Sequence, residues 1–231
     1  MALNILLHAG KFSGKAVVFF SLEMSREQLA MRLISNEAFI DNKKLVTGRL
    51  SPTDWDKIAL AASSLNKTTI LIDDNPSLSV ADMNAKCRRV DNLGLVIIDY
   101  LQLMQSAGGA AKYSGENRQQ VVSDISRSLK IMAKELRIPV LCLSQLSRAP
   151  EGRTNKRPML SDLRESGAIE QDADIVMFLF REDYYEQESE NHNVAECIIS
   201  KNRHGETRTV KLEWLPEYTA FRSIDKIHEE H

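Results

Sequence analysis

Glu23, Asp99 and Gln145 each close a short apolar run, over 16–22, 93–98 and 139–144. The clearest is Leu95-Val96-Ile97-Ile98-Asp99, in which branched apolar residues lead without a polar break into one carboxylate. A run of this kind reads as a strand buried on both faces, hence a central strand of a parallel sheet. Open α/β sheets bind ligands beyond the carboxyl ends of their strands, where Asp99 stands. A carboxylate there has the form of a Walker B element, which holds Mg²⁺ on nucleotide phosphates. Glu23, on a neighbouring strand, is suited to orient and deprotonate water in line with a γ-phosphate, and Gln145, neutral and long, to sense that phosphate. Phosphoryl transfer needs positioning and charge stabilisation, which these residue types supply. Each also has a plainer reading. Asp99 and Gln145 are then strand-end caps, and Glu23 is a charge favouring the helix that starts near Ser25.

Gly10-Lys11-Phe12-Ser13-Gly14-Lys15 imitates a phosphate-binding loop, G-x-x-x-x-G-K-[ST], and fails it in three ways. Only three residues separate the glycines, and Ala16 follows Lys15. The loop also comes after a helix and before a strand, the reverse of the order that aims loop amides and a helix N-terminus at a phosphate. It reads as an exposed αβ loop.

The elements that must hold these residues alternate along the chain. Residues 2–7 read as the end of a helix and 16–22 as a buried strand. Ser25, with Gln28 at capping-box spacing, opens a helix in which Leu29, Ala30, Leu33 and Ile34 recur at helical period. Ser51-Pro52 with Asp54 opens another, running through residue 65. A strand over 69–73 ends in Asp73, Asn75-Pro76-Ser77 turns the chain, and 80–90 is a helix ending in Lys86, Arg88 and Arg89. Beyond Asp99, the Gly/Ser/Ala-rich segment Ser106 to Gly115 reads as a mobile loop. A long amphipathic helix over 116–136 puts Val122, Ile125, Leu129 and Met132 on one face. The strand before Gln145 follows, then a polar, basic stretch to 157, a short helix and turn over 161–172, a strand over 174–180 and a solvated acidic loop over 181–191. Strands over 196–201 and 207–214 flank the hairpin-like turn Asn202-Arg203-His204-Gly205. From Glu217 the chain reads as an edge and then a peripheral tail. The pattern is α/β: a doubly wound, mostly parallel sheet flanked by helices, with antiparallel C-terminal hairpin strands, in one domain over 1–231.

Bulk composition narrows the function classes. A net charge of −2 exerts no global pull toward nucleic acid, so any DNA contact is local. Three cysteines at wide spacing, with Cys142 and Cys197 inside apolar runs, read as buried thiols of a reducing compartment and not as a disulfide frame. The five histidines form no HxxxH pair and no Cys/His cluster, so no transition-metal site is expected. No run is long enough to span a membrane and no signal peptide is visible.

Several segments together carry a resemblance. Phe20-Ser21-Leu22-Glu23-Met24, Ile97-Ile98-Asp99-Tyr100-Leu101-Gln102-Leu103, Ser126-Arg127-Ser128-Leu129-Lys130 and Leu143-Ser144-Gln145-Leu146-Ser147-Arg148 resemble DnaB-type replicative DNA helicases. So do Asp162-Leu163-Arg164-Glu165-Ser166-Gly167-Ala168-Ile169-Glu170-Gln171-Asp172-Ala173-Asp174, the most specific stretch, and Lys201-Asn202-Arg203-His204-Gly205. The match follows the family's order and spacing over nearly the whole chain. It implies a RecA-like motor domain that works as a homo-hexameric ring on single-stranded DNA and hydrolyses ATP, with Mg²⁺, between subunits. On this resemblance Glu23 matches the catalytic glutamate, Asp99 the Walker B aspartate and Gln145 the sensor glutamine. Lys201 and Arg203 match the pair that reaches the neighbour's ATP, with Arg203 as the arginine finger. Arg164, Glu165 and Gly167 match a loop that follows the DNA backbone in the ring's channel, and Ser106 to Gly115 a second channel loop. A helicase loader and a primase are further partners in such a family, and the setting is the cytoplasm, of a cell or of a phage-infected bacterium.

One departure weighs against the simplest reading. The family's Walker A loop and the strand leading into it belong just before Met1-Ala2-Leu3-Asn4, and the 231 residues do not include them. The N-terminal scaffold domain and linker helix are not among them either. The motor-core reading therefore stands beside one of a different class: a non-catalytic fragment or regulatory remnant that binds DNA or caps a helicase ring. A recombinase-like relative is a third reading, against which the 162–174 stretch argues. Locally, Arg203 in a polar turn also reads as a solvated residue, and Arg164 beside Glu165 as a surface ion pair of little energetic worth.

Overall fold

The computed structural model describes residues 1–104, 115–163, 167–186 and 191–224. The longest apolar runs become the most buried strands. β1 (Ala16–Ser21) and β3 (Leu93–Asp99) lie side by side at the centre of a parallel sheet, with β2 (Ile70–Asp73) and β4 (Val140–Cys142) at its edges, in the order β2-β1-β3-β4. All six residues of β1 are buried. Because side chains alternate along a strand, β1 presents Val17 and Phe19 to one face and Val18 and Phe20 to the other. Helices α1 (Ala2–Phe12) and α2 (Arg26–Ala38) cover the first face, burying Leu6, Leu7, Leu29 and Leu33 against Val17, Phe19 and Ile97. The second face is covered by α5 (Val80–Cys87) and α6 (Gly115–Leu136), which bury Met83, Val122, Ile125, Leu129 and Met132 against Val18, Phe20, Val96 and Ile98. Between these come α3 (Asn42–Thr47) and α4 (Pro52–Leu65), where Ala61 packs on Ala38 and Ile40.

The helix starts follow their side chains. Ser25 and Gln28 form the expected reciprocal cap, as do Ser51 with Asp54 and Ser79 with Asp82, each satisfying amides that the first helical turn leaves without partners. Helix α3 was not expected: it has six residues, buries none and so carries no apolar period, and only its Asp41 cap and Gly48 terminus mark it.

The C-terminal strands form a separate antiparallel sheet, β5 (Ile175–Arg181), β6 (Val194–Asn202), β7 (Arg208–Leu215) and β8 (Ala220–Ser223), in that order. β5 begins this sheet and does not extend the parallel one. The edge expected from Glu217 is β8, and Asn4 of α1 ties it down through two 3.3 Å hydrogen bonds with the backbone of Phe221. Segment 105–114, which holds most of the expected mobile loop, lies outside the described residues; Gly115 opens α6.

The cysteine expectation needs correcting. All three are free thiols, but the fully buried one is Cys87, on the inner face of a helix, whereas Cys142 and Cys197 are half-buried. Burial pushes the Cys87 thiol up to about 11 and that of Cys142 up to about 12, where Asp99's charge adds to the effect.

Ile97, on the central strand, is fully buried, whereas Leu60 of α4 is 73% exposed. Ile97→Ala is expected to cost about 2–5 kcal/mol in denaturant unfolding, and Leu60→Ala to stay within about 0.5 kcal/mol.

Candidate active site

Parallel pairing levels the carboxyl ends of the central strands. Phe20 stands opposite Ile98 and Ser21 opposite Asp99, on backbones about 4.8 Å apart. The next amide continues the pairing, since Leu22 N–H donates to Asp99 C=O at 2.8 Å. Glu23 follows directly. Ser21, buried at the end of its strand, donates its hydroxyl to Met24 C=O (2.7 Å) and accepts from Met24 N–H (3.1 Å), so the chain folds back tightly and leaves Glu23 exposed above the sheet. Ser21 carries no expected role. The signal for it was a lone hydroxyl closing an apolar strand.

Asp99 is half-buried at this edge. Desolvation pushes its carboxyl above the usual carboxylate range, Glu23's negative charge pushes it further, and Arg32 of α2 opposes both. A carboxylate raised by burial and a like charge is one that a cation would stabilise, which fits a Mg²⁺ ion held there on a nucleotide. Among the described residues no group of three or more His, Cys, Asp or Glu side chains could hold a metal without such a ligand.

Gln145 lies three residues beyond β4, at the same edge, and is exposed. Its position is set by Gln102, three residues after Asp99. The Gln102 amide accepts from Gln145 N–H at 3.1 Å and donates to Gln145 C=O at 3.2 Å and to the Ser144 hydroxyl at 3.0 Å. One side chain thus clamps the backbone of the candidate sensor to the segment that leaves Asp99. Gln102 belongs to the quoted stretch around Asp99, yet nothing in its spacing announced this contact. Asp73, the remaining strand-end carboxylate, is taken up by Lys86 at 2.5 Å.

Lys201 and Arg203 form a second group. Lys201 is near the end of β6, and Arg203 is in the turn before β7. Within the turn the Asn202 side chain packs over Gly205, where a Cβ would lie 2.6 Å from its side-chain amide nitrogen and oblige that side chain to move. Both cations face helix α7 (Gly167–Asp172). Lys201 Nζ donates to Glu170 C=O at 2.5 Å, and Arg203 donates to Gln171 C=O at 3.2 Å. Among the described residues no hydrogen bond or ion pair joins this group to Glu23, Asp99 or Gln145. Of the expected DNA-contacting residues, Gly167 opens α7, and Arg164 and Glu165 lie outside the described residues. Asp162, in the same stretch, is buried and accepts from Arg153 at 2.5 Å and from Met159 N–H at 2.8 Å, a structural role.

The lysine loop at 10–15 is at the opposite end of the sheet. It leads into β1, and Lys15 packs so closely on Gly94, at the start of β3, that a Cβ there would lie 2.6 Å from the lysine's own Cβ. Helix α1 leads into that loop and packs along β1 and β3 through Leu6 and Leu7.

The DnaB-like helicase C terminal domain family matches residues 1–223. The chain belongs to that family. It is 51% identical to the replicative DNA helicase DnaB of Geobacillus stearothermophilus over 99% of this chain and 50% of that protein. It is 50% identical to the replicative DNA helicase DnaC of Bacillus subtilis (strain 168) over 97% of this chain and 49% of that protein. The chain therefore spans about half the length of the curated relatives it matches. Among solved structures, an ATPase domain superposes with a TM-score of 0.89 at 40% identity, over 97% of this chain and 80% of that one. A DnaB-like replicative helicase studied with primase gives 0.88 at 40% identity, over 96% and 54%. The RadB recombinase, at 15% identity and a TM-score of 0.53, shares the RecA-like fold alone.

At neutral pH the ionised Asp99 costs the folded state stability, because its folded-state carboxyl is raised above its unfolded value. Asp99→Asn is expected to raise the melting temperature at pH 7, and the gain to shrink as pH falls through the ordinary carboxylate range near about 4. Thermal denaturation across pH checks this; an Asp99→Asn protein that melts lower at pH 7 would contradict it.

Proposed function

We propose that these residues form the motor core of a replicative DNA helicase, which couples ATP hydrolysis to movement on single-stranded DNA and to duplex unwinding. The observation that carries the reading is Asp99 at the end of β3 with Glu23 two residues past the end of its paired neighbour β1, and Gln145 tied through Gln102 to the segment that leaves Asp99. In this reading Glu23 takes the proton of the attacking water and Asp99 holds Mg²⁺ on the ATP phosphates. Bound Mg²⁺ supplies charge neutralisation at the phosphates. Gln145 meets the γ-phosphate through its amide, and the Gln102 clamp passes any shift of Gln145 to the segment leaving Asp99. Arg203, in the turn between β6 and β7, offers a planar guanidinium to the transition-state charge in the neighbouring subunit of a six-membered ring, with Lys201 beside it.

Arg164, Glu165 and Gly167 contact the DNA backbone in this reading, with the 106–115 segment as a second channel loop. Sequence-neutral tracking needs amides and local basic groups near phosphates, so a net charge of −2 is no obstacle. Residues 1–231 act as one motor domain. Primase is a partner by analogy with the solved helicase that the chain resembles, a loader is a second, and the setting is the bacterial cytoplasm. A second reading is a non-catalytic fragment or regulatory remnant that binds DNA or caps a helicase ring; it draws on the lysine loop, which leads into the start of β1 and so offers no phosphate cradle at the strand ends where Asp99 stands.

ATP turnover, with and without single-stranded DNA, tests both readings when this chain is run beside one extended upstream through a P-loop. The extended chain is expected to turn over and the short one not to. Glu23→Ala in the extended chain is expected to lose about 10²–10⁴-fold in turnover while still binding ATP. Lost binding or retained turnover would remove Glu23 from its role. A folded extended chain without turnover would favour the capping reading.

A further inference from the structure

Lys201 and Arg203 are already engaged within their own chain. Arg203 N–H donates to Asp174 C=O at 2.8 Å, its guanidinium donates to Gln171 C=O at 3.2 Å, and the same guanidinium lies 3.5 Å from one carboxylate oxygen of Asp174. Lys201 Nζ donates to the carbonyls of Glu170 (2.5 Å) and Gln171 (3.4 Å). These carbonyls belong to the last turn of α7, which leaves them without partners inside the helix and at its negative end. The other carboxylate oxygen of Asp174 is held by Lys130 of α6. Asp174 thus stands between two cations on two elements, one oxygen for each. Lys130 in the first place, with Arg203 and His204 adding to it, holds the Asp174 carboxyl below its usual range.

We propose that Asp174 is a positioning residue that parks Arg203 in its own subunit, and that Lys130 sets the strength of that hold by competing for the same carboxylate. The proposal rests on the reading of Arg203 as the finger. To engage a neighbour's phosphate, Arg203 must release Asp174 and the Gln171 carbonyl together. Both members of the ion pair are about half exposed. A pair in that setting is weak and screened, whereas a triphosphate offers a guanidinium paired, charge-assisted hydrogen bonds. The hold is therefore one that bound nucleotide next door outcompetes, and the finger stays withdrawn when the neighbouring site is empty.

The two partners of Arg203's carboxylate give opposite expectations. In a ring of chains extended upstream through a P-loop, Asp174→Asn frees Arg203 and is expected to raise DNA-free turnover about two- to fivefold, with KM for ATP unchanged. Lys130→Met leaves Arg203 as the ion-pair partner of Asp174 and is expected to lower turnover by a similar factor. A merely structural role for the pair lowers turnover and melting temperature in both variants. Changes in the same direction, or no change in either, would overturn the proposal. If Asp174→Asn does not assemble, Lys130→Met decides alone: lowered turnover at an unchanged melting temperature supports the parking, and unchanged or faster turnover, or a lowered melting temperature, overturns it. Arg203→Ala separates the two layers. Retained turnover removes the finger reading and the parking with it, while an inactive Arg203→Ala beside an unchanged Asp174→Asn removes the parking alone.

Discussion

The pairing of β1 with β3 is the constraint on which the rest depends. Two strands buried on both faces cannot slip by one residue without exchanging the apolar sets of both faces, so their register is fixed by burial. That register puts Ser21 opposite Asp99 and carries Glu23 to the same edge. Helices on each side add to the constraint: Leu6, Leu7, Leu29 and Leu33 grip one face, and Met83, Ile125 and Met132 the other. The candidate carboxylates sit where the chain leaves this buried centre, so strand pairing sets their place.

Charge explains why the site is divided. At the sheet edge, Asp99 and Glu23 repel one another, with Arg32 as a partial counterweight. The candidate transition-state cations are elsewhere, on the hairpin of the antiparallel sheet, and are neutralised by Asp174 and by helix-end carbonyls. Neither half is electrostatically complete for phosphoryl transfer. In the proposed ring, one subunit's hairpin would meet the next subunit's edge, so that hydrolysis would depend on assembly, and a cation on Asp99 would relieve the repulsion when nucleotide binds.

Sequence legibility followed burial. The central strands, α4, the Ser25–Gln28 cap and the long helix over 115–136 were legible because their apolar periods or caps are local signals. Glu23, Asp99 and the turn at Arg203 were legible as positions, since each ends an apolar run or occupies a polar turn. Helix α3 escaped because it buries nothing. The separation of β5 from the parallel sheet escaped because the alternation in β5 does not say which strand lies beside it. Gln102, Asp162 and Asp174 look like ordinary polar residues; their contacts reach across 43, 9 and 44 positions, and no local pattern encodes such reach. The resemblance supplied the expected roles of Lys201 and Arg203; spacing alone left Arg203 as a solvated residue.

The central claim is that Asp99 holds the nucleotide's metal beside Glu23. Its most direct test is a change of metal preference at that carboxylate. Mg²⁺ favours hard oxygen ligands, and a thiolate favours softer ions. ATP turnover of an Asp99→Cys protein, carried in a chain extended through a P-loop, is predicted to be lost in Mg²⁺ and regained in part with Mn²⁺ or Cd²⁺. Undiminished turnover of Asp99→Cys in Mg²⁺ would contradict the account.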